Sequence, residues 1–229
     1  MGIDFKNYAQ SRMSPFDELA LKLLLGKISL QQEEIFVLEI GSWLGAGSTQ
    51  VFSEFAKKIV CVDHWQGNEN QDHKDIVKEI DPYLIFQENI SRFKDKVISI
   101  RCNSNEIGEI IKDQTFDFIF IDGDHRYAQT KSDLEVCLPK LKSKGIICGH
   151  DCEGRVNSNN IEFLKENIER DHIDSIYQNF KHCHPGVILA VDELVENFEL
   201  FSDEKFRMEL EVEGQRRFGN SSIWFKIFD

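Results

Sequence analysis

Short apolar runs, each closed by glycine or a charged group, alternate along this chain with longer amphipathic stretches. EIFVLEIG, KIVCVDHW, KVISIRCNS, FDFIFIDGDH and KGIICGHD read as five buried strands, because near-continuous apolar runs of this length suit a sheet covered on both faces. SPFDELALKLLLGKI, STQVFSEFAKK, HKDIVKEIDPYLIFQENISRF, NEIGEIIKD and RYAQTKSDLEVCLPKL read as the helices between and before them. The first opens on Ser14 as N-cap, with Pro15 at the first helical position and Asp17 three residues after the cap. It is expected over about 14–26, ending near Gly26. The third breaks near Asp81–Pro82. Strict alternation of strand and helix predicts an α/β, doubly wound, mostly parallel sheet with right-handed crossovers.

Beyond Asp151 the pattern changes. NSNNIEFLKENIERDHI and HPGVILAVDELVENF read as helices, and FRMELEVEG and SSIWFKIFD alternate as two final strands. These two are expected to form an antiparallel pair at the sheet edge. The stretch from Asp151 to Gly186 exceeds a simple crossover, so a lid over about 152–186 is expected within a single domain spanning 1–229. There is no internal repeat and no low-complexity linker.

Charge narrows the partners. A formal net charge of −13 repels phosphate backbones and anionic lipid, which argues against nucleic acid and favours a neutral or cationic small molecule. No apolar run is long enough to cross a bilayer, so no membrane role is expected. MGIDFKNYAQSR lacks the basic start and apolar core of a signal peptide, and Lys6 stands where a myristoylation motif needs Ser or Thr. Six cysteines with no CxxC pair point to a reducing, cytoplasmic compartment. Cys148, His150, Cys152, His182, Cys183 and His184 are rich in zinc-type donors but match no common zinc spacing, so buried thiols are the expected reading. His182 and His184 either reach an acceptor from the lid or, as the first expectation, lie at the surface, and Trp224 is expected in the core.

The polar clusters fall at strand ends: Glu39 to Gly47, Asp63 to Trp65, Asn103 with Ser104, Asp122 to His125, and His150 with Asp151. In doubly wound sheets ligands bind outside these carboxyl ends. Gly41, Gly45 and Gly47 let the backbone approach a ligand closely. Their order is GxxxGxG, which is neither the dinucleotide fingerprint nor a Walker loop, and Glu39 opposes a pyrophosphate. Glu39 instead suits a cationic ligand, Asp63 the two hydroxyls of a ribose, Trp65 a base face and Asn103 an adenine edge. Trp43 either lines this pocket or packs beside it. An adenosine carrying an amino acid and a positive sulfur, without phosphate, fits the set; that describes S-adenosylmethionine.

VLEIGSWLGAGS, CVDHW, RCNSNE, FDFIFIDGDHRY, LPKLKSKGIICGHD and, more loosely, HPGVILAVDEL make the chain resemble class I S-adenosylmethionine-dependent methyltransferases. Within that class it is similar to the macrocin-type sugar O-methyltransferases. The resemblance spans roughly Glu34 to Leu194. It implies a Rossmann-like seven-stranded sheet whose last strand is antiparallel, and cofactor contacts at Glu39, Gly41, Ser42, Asp63, Asn103 and Ser104. With their neighbours Trp43, Gly45, Gly47, Ser48, His64, Trp65 and Asp122, these form the expected cofactor set.

The resemblance also implies methylation of a hydroxyl on a sugar or similar small metabolite. A divalent metal, magnesium in such relatives, would be held at positions matching Asp122 and Asp151. Assembly as a homo-oligomer through N-terminal helices and lids is implied as well. His150 stands where the family often has Asp or Glu; imidazole shifts preference from magnesium towards manganese, iron or zinc. For the base that removes the acceptor's proton, His125 is the first expectation, since imidazole titrates near neutrality and some relatives use a histidine three positions after the metal aspartate. Asp124 competes, unless it caps the following helix, and His150 is third. The other readings are a metal-dependent hydroxylase component, a non-catalytic S-adenosylmethionine-binding module and, weakest, a nicotinamide dehydrogenase.

Overall fold

β-Branched and aromatic side chains dominate the apolar runs, and these runs become the strands of one sheet. The computed structural model describes residues 10, 13–68, 71–177, 180–212 and 214–228. The N-terminal reading against a signal peptide and myristoylation rests on residues that lie outside those described. In chain order the elements are α1 (Pro15–Ser29), β1 (Phe36–Ile40), α2 (Ser48–Phe55), β2 (Lys58–Asp63), α3 (Gln71–Glu79), α4 (Pro82–Asn89), β3 (Val97–Arg101) and α5 (Ile107–Ile110). Then follow β4 (Phe116–Ile121), α6 (Tyr127–Cys137), β5 (Leu141–Gly149), α7 (Ile161–Glu166), β6 (Ile173–Tyr177) and β7 (Phe180–Cys183). The chain ends with α8 (Pro185–Leu194), β8 (Glu199–Leu200), β9 (Met208–Val212), β10 (Gln215–Gly219) and β11 (Trp224–Ile227).

The main sheet has seven strands in the order β3-β2-β1-β4-β5-β11-β8. β1 pairs in parallel with β2 and β4, β2 with β3, and β4 with β5. β11 runs antiparallel between β5 and β8, as the antiparallel last strand of the expected fold should. Alternation along β4 serves two cores. Phe118 and Phe120 pack with Leu21, Leu24 and Phe52 from α1 and α2. Ile119 and Ile121 pack with Leu134 of α6 and Ile188 and Val191 of α8. Each such buried side chain contributes about 1.5–3 kcal/mol relative to exposure.

Backbone hydrogen bonds continue the ladder just past the strand ends: Gly41 N–H donates to Val62, Asp122 N–H to Ile40 and His150 N–H to Ile121, at 2.9, 2.9 and 3.1 Å. They bring Gly41, Asp122 and His150 side by side along one edge.

Two expectations need correction. β9 does not pair with the last strand; it forms a separate hairpin with β10, and β11 enters the main sheet alone. Buried Trp224 and Phe225 give β11 two apolar faces, whereas β10 is largely exposed. The region expected as lid also carries a hairpin, β6–β7, where one helix and a connection were expected. Its helical part shrinks to α7.

Candidate active site

A cavity of about 460 Å³ opens at the carboxyl edge of the sheet. One wall is the β1–α2 turn, from Gly41 to Ser48; the other holds Asp122, Gly123, His125, His150 and Asp151, with Asp171, His172, His182 and His184 arriving from beyond β5. Gly41, Ser42, Trp43, Gly45, Gly47 and Ser48 line this cavity. Gly41 has φ +84°, and a Cβ there would stand 2.0 Å from the carbonyl oxygen of Asp122. Only glycine lets the turn pass so close to the neighbouring strand end. Trp43 lines the cavity and stacks on His73 at 4.1 Å between ring centroids.

Several expected cofactor residues turn away from this space. Glu39 is 0 % exposed, and its carboxylate accepts from the hydroxyls of Ser48 and Thr49 and from the Cys61 thiol. Burial raises its pKa, although the hydroxyls pull the other way. It braces the turn rather than meeting a cationic ligand. Asp63 accepts from the backbone amides of Trp65 and Trp43 at 2.6 and 2.8 Å, so its carboxylate holds the two loops together instead of standing open for ribose hydroxyls. Trp65 is 1 % exposed, donates from its indole to the Trp43 carbonyl and packs on Tyr83 and Phe86. It is a core residue, not a platform for a base. His64 is half-exposed, and its Nδ1 accepts from the Gln66 amide at 2.9 Å. Asn103 bonds to Glu106 as the start of a short helical turn, and Ser104 donates to buried Asp133. Asp63, His64, Trp65, Asn103 and Ser104 do not line the cavity.

The opposite wall gathers charge. His150 Nδ1 lies 3.0 Å from Asp151 Oδ1, and His125 Nε2 lies 3.3 Å from Asp151 Oδ2 and 3.7 Å from Asp122 Oδ1. Asp171 reaches His125 Nδ1 at 3.0 Å with one oxygen and His172 Nδ1 at 3.1 Å with the other. Asp151 is held at φ +59°, a conformation that costs a non-glycine residue energy and is tolerated where the surroundings impose it. Burial works to lower the pKa values of His125 and His150. The surrounding carboxylates outweigh it and hold both rings well above their ordinary range. Burial likewise works to raise Asp151, and His150, His184 and His125 reverse it, leaving its carboxyl well below the usual range.

Asp124, expected as a competing base, is clamped by Arg126. It accepts the Arg126 backbone amide at 2.9 Å and pairs with its guanidinium. Burial raises its pKa and Arg126 more than reverses that, so it stays ionised as a turn-forming acceptor before α6. His184, expected at the surface, is 8 % exposed, and its Nδ1 lies 2.6 Å from buried Glu153. His182 is exposed, as expected, and pairs with Asp174. Asp17, Glu153 and Asp171 were not anticipated at the site; in sequence Asp17 reads only as a helix-capping residue, and Glu153 and Asp171 are single acids in connections with no local motif. The thiols of Cys148 and Cys152 bond to backbone carbonyls. Among the described residues no cysteine joins a group of three donors close enough to hold a metal.

Asp122, His150 and Asp151 present one donor atom each, all within 4.8 Å of one another. Two carboxylates and an imidazole at that spacing fit a divalent cation.

A family model described as a methyltransferase domain matches residues 38–152. Among curated proteins, the uncharacterized protein y4gI of Sinorhizobium fredii is 28 % identical over 102 residues, 44 % of this chain. The match spans only 11 % of that relative's length. Among solved structures, a Klebsiella pneumoniae protein provisionally described as an O-methyltransferase aligns with a TM-score of 0.57 at 13 % identity, covering 100 % of this chain and 91 % of its own. A Bacillus cereus O-methyltransferase in complex with SAH aligns at 0.53 and 18 % identity, covering 97 % and 86 %. At such identities the likeness is one of fold. Among the described residues, no helix is long and apolar enough to cross a membrane.

Proposed function

The chain belongs to this methyltransferase-domain family, S-adenosylmethionine-dependent enzymes of Rossmann-like fold, and from that premise we propose that it methylates a hydroxyl on a small metabolite, a sugar or a compound like it. The observation that carries this is the cavity in which the glycine turn faces the Asp122–His125–His150–Asp151 wall. The sulfonium already activates the methyl group, so the protein has to position an acceptor oxygen and manage its proton.

In this reading the turn from Gly41 to Ser48 receives the cofactor. His125 is the base, set by Asp171 behind its Nδ1. Three carboxylates around it favour its protonated form; the positive sulfonium opposes them, easing loss of that proton so that the neutral ring can take the acceptor's. Asp122, His150 and Asp151 would hold a divalent metal, which supplies a Lewis acid that lowers the acceptor's pKa. The segment over about 152–186, with α7 and β6–β7, acts as a lid: it contributes Asp171, His172, His182 and His184 to the cavity.

Calorimetry with S-adenosylmethionine, followed by transfer of labelled methyl to a panel of sugars and other hydroxyl compounds, tests the proposal. Binding with transfer that is lost in His125→Ala is expected. No binding at high protein concentration sinks it. Binding without transfer to any hydroxyl would favour a non-catalytic binding module, and oxygen consumption without methyl transfer a hydroxylase component.

A further inference from the structure

His150 differs from the other ligand candidates because its ring is held from both sides. Nδ1 faces the cavity, 3.0 Å from Asp151 Oδ1. Nε2 faces away, 3.3 Å from Asp17 Oδ2 and 3.4 Å from Ser222 Oγ. The backbone is pinned as well, since its N–H donates to Ile121. Asp17 lies in the first turn of α1, far away in sequence. It is buried and completes the capping box there: its Oδ2 accepts the Ser14 amide at 3.0 Å and the Ser14 hydroxyl at 2.6 Å.

We propose that Asp17 is the positioning carboxylate of a nitrogen-selective metal site, turning His150 so that Nδ1, with Asp122 and Asp151, takes a transition-metal ion in preference to magnesium. This rests on the metal reading above and deepens it. A histidine ligand commonly donates its second ring N–H to a carboxylate, which fixes the ring's orientation and strengthens the metal bond. Asp17 occupies that place. Magnesium favours oxygen donors and retains its waters, whereas imidazole suits cobalt, iron and zinc. An acid at position 150 would need no partner behind it. Asp17 already serves the α1 cap, and the same carboxylate set against the outward nitrogen of His150 leaves the inward nitrogen as the one free to donate to an ion. The arrangement also ties the ion to helix docking, because the same oxygen of Asp17 holds the start of α1.

The test uses the full chain, freed of metal, with cobalt(II) as the probe, read by its visible absorption and by calorimetry. Wild type should bind one cobalt ion with ligand-field bands that a 100-fold excess of magnesium (about 100-fold serves to expose any preference) leaves in place. His150→Asp should let magnesium displace cobalt. Asp17→Asn, which keeps an acceptor for the Ser14 amide, should weaken cobalt binding about 10–100-fold and leave the weak magnesium affinity as it was. Ser14→Ala breaks the capping box but keeps the Asp17 charge, so it should bind cobalt as wild type does. Magnesium displacing cobalt from wild type overturns the inference. So does unaltered cobalt affinity in Asp17→Asn, or an equal loss in Ser14→Ala, which would mark an effect of helix packing alone. Calorimetry of S-adenosylmethionine binding to the metal-free protein is scored separately; its failure would strike the methyltransferase reading and leave the metal result standing.

Discussion

At the β1–β2 end of the cavity the acidic side chains turn inward, and at the β4–β5 end they turn out into it. Glu39 and Asp63 spend their oxygens on Ser48, Thr49, Cys61 and the amides of Trp43 and Trp65. Asp122, Asp151 and Asp171 meet imidazoles that line open space. The same residue type therefore does two jobs on one sheet edge. Where the protein must shape a turn, carboxylates act as internal acceptors and the backbone forms the wall. Where chemistry is expected, charged groups stay accessible and restrain one another.

Substitutions can break or sharpen this division. The largest effect is expected at the outward wall: His125→Ala should lower turnover about 10²–10⁴-fold while the cofactor dissociation constant stays within a few-fold. Single-turnover transfer and calorimetry on the same samples would check it. A large loss of cofactor affinity there would erase the distinction between the two ends.

Asp133 tests an inward commitment, since Ser104 and Gln129 bond to it. Burial raises its pKa to about 6, against those hydrogen bonds. The folded state thus holds this proton more tightly than the unfolded chain does. Its contribution to stability should be full below about pH 4, fall as pH rises to about 6, and be gone above, by about 3 kcal/mol in all. Urea unfolding across that range should show a decline in wild type that is smaller in Asp133→Asn, where the buried acids Glu39 and Asp63, also raised, still contribute.

Gly41→Ala strains the turn directly. The positive φ and the clash with the Asp122 carbonyl should cost about 1–3 kcal/mol, seen as a melting temperature lowered about 2–4 °C for each kcal/mol, together with weakened cofactor binding. Smallest of all, Asp124→Asn removes a partly exposed pair with Arg126. It should cost under about 1 kcal/mol and leave turnover nearly unchanged. A collapse of activity in that variant would restore Asp124 as the base.

The order of elements was legible because apolar runs and glycine stops are local signals. So was the position of the ligand edge, which follows from sheet topology alone. Side-chain direction was not. VLEIG and CVDHW place Glu39, Asp63 and Trp65 at strand ends, yet whether each points into the cavity depends on Ser48, Thr49, Tyr83 and Phe86, which approach from other elements. β6–β7 escaped notice because IDSIY and FKHC are short and show no one-sided apolar alternation in sequence. β9 and β11 looked alike in pattern; two-sided burial by β5, β8 and the Phe201–Phe206 pair separates them. Asp17 read correctly as a capping residue, and nothing local showed that its carboxylate also reaches His150.

The slot filled by β11 sets a timetable for making the enzyme. Trp224 lies so close to Gly149 that a Cβ there would approach its indole nitrogen to 2.7 Å, and Cys152 N–H bonds to the Ser222 carbonyl. The strand end bearing His150 and Asp151 is thus finished by residues that leave the ribosome after all other strands of the sheet. For roughly 4–15 s of synthesis, β5 has an open apolar edge and the wall bearing His150 and Asp151 lacks its backing. During that interval the nascent chain is exposed to edge-to-edge association, and chaperone capture or slow translation between β5 and β11 would act most strongly there.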